Sequence, residues 1–341
     1  YTALSYCWGN DSEVLLAKAL KTENLESYET EIPWETLPQT LQDAAVTTHR
    51  LGMHFVWVDS LCIIQDDDND KVKEIAQMAQ VYSHATLTIM VNRAARASDG
   101  FLHQRSPPLG TSNLLFRSPD GTEGWVSLYF KHEFWHEEKS KLDKRGWAMQ
   151  EHLLSRRTLE IGTYMTEWSC RTERGLPSHS DGWSNDRLTR GFGSPFQNAR
   201  RRWSADDGVL DTWEMVVKAY CDRSLSLPTD KILAISGIAE RFASSTPGIG
   251  RYAAGLWEEG LPTSLMWQTW DPSPSRPTEY QGPSWSWTAI RSRIWFEGAY
   301  GSLVSEILSV ECVPLHPEAP FGALKSGTLR IKGPAIDIER R

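Results

Sequence analysis

The sequence predicts an α/β fold, a parallel sheet core with helices on both faces, followed by a mixed α+β trailing region. Three observations predict it: apolar runs rich in strand formers at residues 3–8, 55–58 and 86–91; helical periodicity in the segments between them; and a change of character beyond Ala95, where Gly, Pro and Ser become common. A β-α-β-α-β order of this kind closes with parallel strands and right-handed crossovers.

Residues 3–8 stop at the turn cluster Gly9-Asn10-Asp11 and read as a short buried strand. Leu41, Ala44, Ala45 and Thr48 then recur at helical spacing, with Pro38 in the first turn and Gly52 as a natural stop. Residues 55–58 make the second strand, ending in Asp59-Ser60. The acidic run from Asp66 to Asp70 opens a helix over 71–84, because carboxylates favour the positive end of the helix dipole. Residues 86–91 are the third strand.

Further on, residues 125–130 are strand-like, and 159–168 flank Gly162-Thr163 as a hairpin. Residues 176–208, rich in Ser, Gly, Arg and Asn, read as a long loop. Two helices follow, one over 212–222 and one capped by Thr229 and running through Ile238; residues 307–338 are strand and turn material. The chain so divides into 1–170, the α/β core ending in the hairpin, and 171–341, a helical and β-rich region packed on it.

With 40% hydrophobic and 23% charged residues over 341 positions, the chain can bury a large core. A net charge of -8 leaves no electrostatic footprint for a phosphate backbone or an anionic membrane, so nucleic acid and membrane are excluded as partners. Cys7, Cys62, Cys170, Cys221 and Cys312 are far apart and form no CxxC pair, which argues against a disulfide framework or a zinc site and for a reducing, cytoplasmic compartment. No apolar run approaches the roughly 18 residues of a membrane span, and no signal peptide opens the chain. It begins without Met in strand-like sequence, as a chain with residues upstream would. The Asp66 to Asp70 run lacks the alternating ligands, central Gly and terminal Glu of a calcium loop, so no metal is expected. The 16 tryptophans read as bulky core packing or as a ligand-stacking surface.

Several longer motifs occur in order: ALSYxWG at 3–9, LPxTxxDA at 37–44, WVDSLCIIQ at 57–65, EIxxMxxVYxxA at 74–85 and RGWxxQExLLSxR at 145–157, with PSWSW at 283–287 further on. Together they resemble the heterokaryon-incompatibility (HET) domain family of filamentous fungi, strongly over about residues 1–170. The resemblance implies a part in nonself recognition and programmed cell death. The family has been likened to Toll/interleukin-1-receptor-like (TIR) domains, so it also implies a TIR-like or flavodoxin-like sheet. Enzymatic TIR domains use a helix glutamate to cleave the nicotinamide bond of NAD, which would make Glu74 the equivalent carboxylate, NAD a substrate rather than a cofactor, and Trp8 a stacking partner for a ring.

Ligands of open parallel sheets bind outside the carboxyl ends of the strands. Those ends deliver Ser5, Trp8 and Gly9 from the first strand, and Asp59, Ser60, Cys62 and Gln65 from the second. On a helical wheel Glu74 falls between Met78 and Val81, half-buried, which suits a carboxyl that exchanges a proton, or one that satisfies a backbone group or an arginine. Asp59 suits ribose hydroxyls or the cap of a turn. Cys62 reads as a nucleophile, should a histidine lie close, or as a core cysteine. Arg145, Trp147, Gln150 and Glu151 form a compact segment that could carry an arginine and a second carboxylate to a ligand; an internal salt bridge is the competing reading.

Three functions follow: a hydrolase of NAD or a related nucleotide, a non-catalytic module that binds a protein partner or self-associates, and an enzyme on another small molecule such as a secondary metabolite.

Overall fold

The computed structural model describes residues 1–9, 12–105, 112–128, 140–164, 166–170, 178–179, 182–183, 209–297 and 303–334. The chain folds into two compact units and visits them alternately. The first holds Tyr1–Lys71, Ala85–Asp143 and Arg156–Asn185; the second holds Val72–His84, Lys144–Ser155 and Asp186–Arg341.

The first unit begins with β1 (Thr2–Ser5), α1 (Ser12–Lys18), α2 (Leu25–Thr30), α3 (Gln39–Arg50), β2 (Val56–Trp57) and the one-turn α4 (Asp59–Cys62). Helix α5 (Asp68–His84) leads to β3 (Leu87–Met90), β4 (Ser112–Arg117) and β5 (Glu123–Leu128); α6 (Gly146–Leu154) then precedes β6 (Arg157–Ile161), β7 (Thr166–Cys170), β8 (Ser178–His179) and β9 (Gly182–Trp183). The main sheet has the order β2-β1-β3-β6-β7-β8-β9. Its first four strands are parallel, and β7 onward runs antiparallel.

The mixed α/β class and the parallel β-α-β-α-β opening are as the sequence predicts. The expected hairpin is β6–β7, but β6 also pairs in parallel with β3, so the hairpin extends the central sheet. Residues 129–130 and most of 176–208 lie outside the described residues.

Strand alternation gives the sheet two different faces. Leu4, Ile89 and Leu159 form one row, continued by Tyr6, Val91 and Ile161, and this face is packed with Leu15, Leu41 and Ala44 of the helices. The other face carries Ala3, Thr88 and Thr158 in one row and Ser5, Met90 and Glu160 in the next.

The LPxTxxDA motif builds the support beneath the apolar face. Asp43 Oδ2 accepts the backbone N–H groups of Phe101 (2.5 Å) and Leu102 (3.0 Å), and its Oδ1 accepts Gln39 Nε2 at 2.8 Å. Thr40 Oγ1 accepts the Gly100 N–H at 3.2 Å. Helix α3 therefore holds the loop that follows β3. The acidic run is spent on backbone donors in the same way. Asp66 accepts Thr22 N–H at 2.8 Å, which lowers its carboxyl below the usual range, Asp67 Oδ1 accepts Asn69 N–H at 2.9 Å, and Asp70 Oδ2 accepts Ile64 N–H at 2.8 Å.

The second unit packs α6 with α7 (Val209–Cys221) and α8 (Leu233–Ser245). The hairpins β10–β11 (Tyr252–Ala253, Leu256–Trp257), β12–β13 (Trp267–Thr269, Ile294–Phe296) and β14–β15 (Glu306–Pro314, Leu324–Lys332) complete it. Both helices predicted in this region are present. Thr229, however, lies in a 3-10 turn over Pro228–Lys231 and does not cap α8, which follows Ile232. Three tryptophans here are core: Trp213, Trp257 and Trp287 are fully buried, with the first two rings 5.5 Å apart edge to face, whereas Trp270 is exposed. The PSWSW segment packs through Trp287, whose Nε1 donates to Gly255 O at 3.0 Å. Gly255 has φ 93°, and a Cβ there would lie 2.6 Å from the Trp287 ring, so both the turn and the ring demand glycine.

Candidate functional site

At the carboxyl end of β1 the chain turns out through Cys7 and Trp8 to Gly9. Gly9 takes φ 75°, and a side chain on it would meet Arg96, whose Cα would be 2.8 Å from the new Cβ. The loop after β3 thus lies directly against the WG pair, with Ala97 N–H donating to Trp8 O at 3.3 Å. Arg96 is held there by Asp99, Nη2 to Oδ1 2.8 Å.

The second strand delivers its residues beside these. Trp8 Nε1 donates to Asp59 Oδ2 at 3.1 Å, and Asp59 Oδ1 accepts the Ser60 N–H at 2.7 Å within the first turn of α4. Gln65 Nε2 donates to the carbonyls of Asp59 (3.1 Å) and Ile63 (3.0 Å). Ser60 is fully buried and bonds the Tyr6 hydroxyl at 2.9 Å. Cys62 is exposed, which overturns the core-cysteine reading. Trp8, Gly9, Asp59, Ser60, Cys62 and Gln65 are therefore one neighbourhood in the first unit, knit largely by bonds among themselves.

The polar face of the sheet ends differently. Ser5 pairs in register with Met90, and Met90 with Glu160, so Ser5 and Glu160 share a face, as does Asn92 two residues beyond Met90. Ser5 is 1% exposed, and its Oγ has no hydrogen-bond partner among the described residues; Asn92 Oδ1 is likewise buried and unpartnered. Asn92 Nδ2 donates to Glu160 Oε2 at 3.4 Å, and Thr158 Oγ1 donates to Glu160 Oε1 at 3.3 Å. A buried hydroxyl, an amide oxygen and a carboxylate so collect at the ends of three adjacent parallel strands. The set is rich in acceptors and matches a ligand that donates hydrogen bonds, such as a vicinal diol. Next to it Arg93 donates from Nη1 to the carbonyls of Phe101 (3.1 Å) and His103 (3.0 Å); burial, and then Arg105, hold its pKa below the ordinary value.

Asn92, Thr158 and Glu160 are absent from the residues singled out by sequence. The available signal was the strand-exit rule itself, which applies to Asn92 after the third strand as it does to Ser5 and Asp59. Glu160 needed one fact more, that β6 joins the sheet.

The remaining sequence candidates belong to the second unit. Glu74 on α5 is half-buried as its helical position predicts, its side chain 21% exposed with Lys73 Nζ 3.7 Å from Oε1. Arg145 precedes α6 and accepts Arg223 Nη1 through its carbonyl at 3.2 Å. Trp147 Nε1 donates to Asp230 Oδ2 at 2.9 Å; burial raises the Asp230 carboxyl against that bond. Gln150 Oε1 accepts the Gly237 N–H at 3.0 Å, and Glu151 is buried. Within this unit Trp147 and Gln150 bind α6 to the segment that carries α8.

No group of three or more His, Cys, Asp or Glu side chains suited to a metal occurs among the described residues, and none of their helices is long and apolar enough to cross a membrane. No curated protein and no solved structure matches the chain significantly. A family model described as Heterokaryon incompatibility protein (HET) matches residues 1–151, a span that takes in β1 to β5, the rim loops and most of α6. Over residues 1–151, then, the chain carries a heterokaryon-incompatibility (HET) domain.

Proposed function

We propose that this protein acts in heterokaryon incompatibility by binding a nucleotide, NAD or a close relative, at the carboxyl rim of its parallel sheet and hydrolysing the bond between ribose and base. The observation that carries the reading is the acceptor cluster of Ser5 Oγ, Asn92 Oδ1 and the Glu160 carboxylate. Two of these atoms are buried with no partner among the described residues, and leaving such groups unsatisfied costs about 1–3 kcal/mol each. Ribose hydroxyls are the donors that would answer them. In the reaction water adds to the anomeric carbon of the ribose, nicotinamide leaves, and a carboxylate that hydrogen-bonds the ribose steadies the positive charge that develops on the sugar.

The test is to incubate the purified protein with NAD and follow nicotinamide release. Glu160→Gln is expected to reduce release at least tenfold, about 1.4 kcal/mol of barrier. Glu74→Ala, the carboxylate implied by the TIR comparison, is measured beside it. Release that survives Glu160→Gln and is lost in Glu74→Ala moves the chemistry to Glu74. Folded protein that releases no nicotinamide, at concentrations permitting self-association, refutes the hydrolase.

A second reading, a non-catalytic module that self-associates, is favoured by the β4–β5 hairpin. Leu115 and Trp125 pair on one side, and Leu114, Val126 and Phe116 lie on the other, all exposed, Trp125 by 70%. A two-stranded hairpin that bares apolar side chains on both faces is marginal alone and typical of a contact surface. This reading requires a concentration-dependent oligomer in analytical ultracentrifugation that Trp125→Ser abolishes; a monomer at every concentration rules it out.

A further inference from the structure

In the second unit, residues 275–291 form a closed loop: Ser275 and Arg291 make an antiparallel bridge, with Arg291 N–H donating to Ser275 O at 3.0 Å. The loop borders an open cavity of about 370 Å³, lined among others by Arg276, Thr278, Glu279, Tyr280, Gln281 and Ser284. That volume lies at the lower end of small-molecule sites, roughly 300–1,000 Å³. Arg276, Thr278, Glu279 and Tyr280 are exposed at the mouth, whereas Gln281 is 9% exposed and its Oε1 is buried with no hydrogen-bond partner among the described residues.

The back of the cavity is set firmly. A Cβ on Gly282 would collide with Thr288, which fixes the approach of the two segments. Ser286 Oγ accepts the Thr288 N–H at 3.0 Å and caps the turn that buries Trp287. An amide oxygen left unsatisfied in a wall that is otherwise packed and bonded is the mark of a missing partner rather than of loose structure.

We propose that this cavity binds a small zwitterion of the α-amino-acid class, with its carboxylate on Arg276 and its ammonium donated to Glu279 and to Gln281 Oε1. Arg276 and Glu279 make no ion pair with one another or with any other of the described residues, so both are available to a ligand. A simple anion would gain Arg276 but face Glu279, and a simple cation would meet the reverse. A zwitterion alone answers both charges, and its N–H groups also answer the buried amide oxygen.

Isothermal titration of the full chain with the twenty common amino acids, one at a time, tests the assignment. Acetate and methylammonium serve as half-ligands. At least one amino acid is expected to bind saturably, and Arg276→Ala and Gln281→Met are each expected to weaken it about tenfold. Because Arg276 is exposed, its variant folds even where that of Gln281 fails, and unchanged binding in folded Arg276→Ala overturns the proposal. So does acetate or methylammonium binding as tightly as any amino acid, or no amino acid binding at millimolar concentration.

Discussion

The two faces of the parallel sheet treat buried polar groups in opposite ways. On the face toward α3, Asp43 answers three donors and Ser60 pairs with the Tyr6 hydroxyl. On the other, Ser5 is as buried as Ser60, yet its hydroxyl and the Asn92 oxygen have no partner among the described residues. Burial alone therefore does not set the two serines apart. Whether the protein itself completes the hydrogen bonds does.

The largest test of that contrast is Asp43→Ala. It leaves the N–H groups of Phe101 and Leu102 without their acceptor and releases the loop that lies against Gly9. A loss of about 3 kcal/mol in denaturant unfolding is expected, since each orphaned buried donor costs about 1–3 kcal/mol. A loss below about 0.5 kcal/mol, the scale of ordinary surface substitutions, would mean that the loop is held by other means.

Ser60→Ala and Ser5→Ala then compare two serines of equal burial. Ser60→Ala removes the hydrogen bond to the Tyr6 hydroxyl and is expected to destabilise by about 1 kcal/mol. Ser5→Ala removes a hydroxyl with no hydrogen-bond partner among the described residues, so stability should hold or rise slightly, while the proposed nucleotide binding weakens. Equal losses from both would erase the distinction between the faces.

How much of this was legible follows from how local each feature is. The strands at Thr2–Ser5 and Leu87–Met90 and the helices α3 and α5 were readable, because apolar periodicity and caps act within a few residues. The half-buried place of Glu74 came from the same helical arithmetic. The meeting of Ser5, Asn92 and Glu160 was not readable, since it depends on strand register between segments far apart in the chain. Thr229 has the composition of a cap but sits in a 3-10 turn instead, where Pro228 fixes the backbone. The aromatic residues around PSWSW read as packing, yet nothing in their order announces that Gln281 would be left with an unanswered oxygen.

Glu214 stands between the two extremes, half-buried and answered once, by the Ser264 hydroxyl at 3.1 Å from Oε1. Burial raises its carboxyl above the ordinary value, Ser264 pulls it back and Asp211 adds to the rise. A raised folded-state pKa means that the native protein holds this proton more tightly than the unfolded chain. The stability it lends is complete below the unfolded value, about 4.3, and is lost as pH climbs through the higher folded value. In Glu214→Gln the amide oxygen still accepts from Ser264 but does not titrate. Melting curves recorded from about pH 4 to 7 should therefore show the native protein losing ground to the variant with rising pH. Parallel curves would place Glu214 with Asp43 and Ser60, among the groups whose bonds the protein completes, and would show that one hydroxyl suffices to offset the burial of a carboxylate.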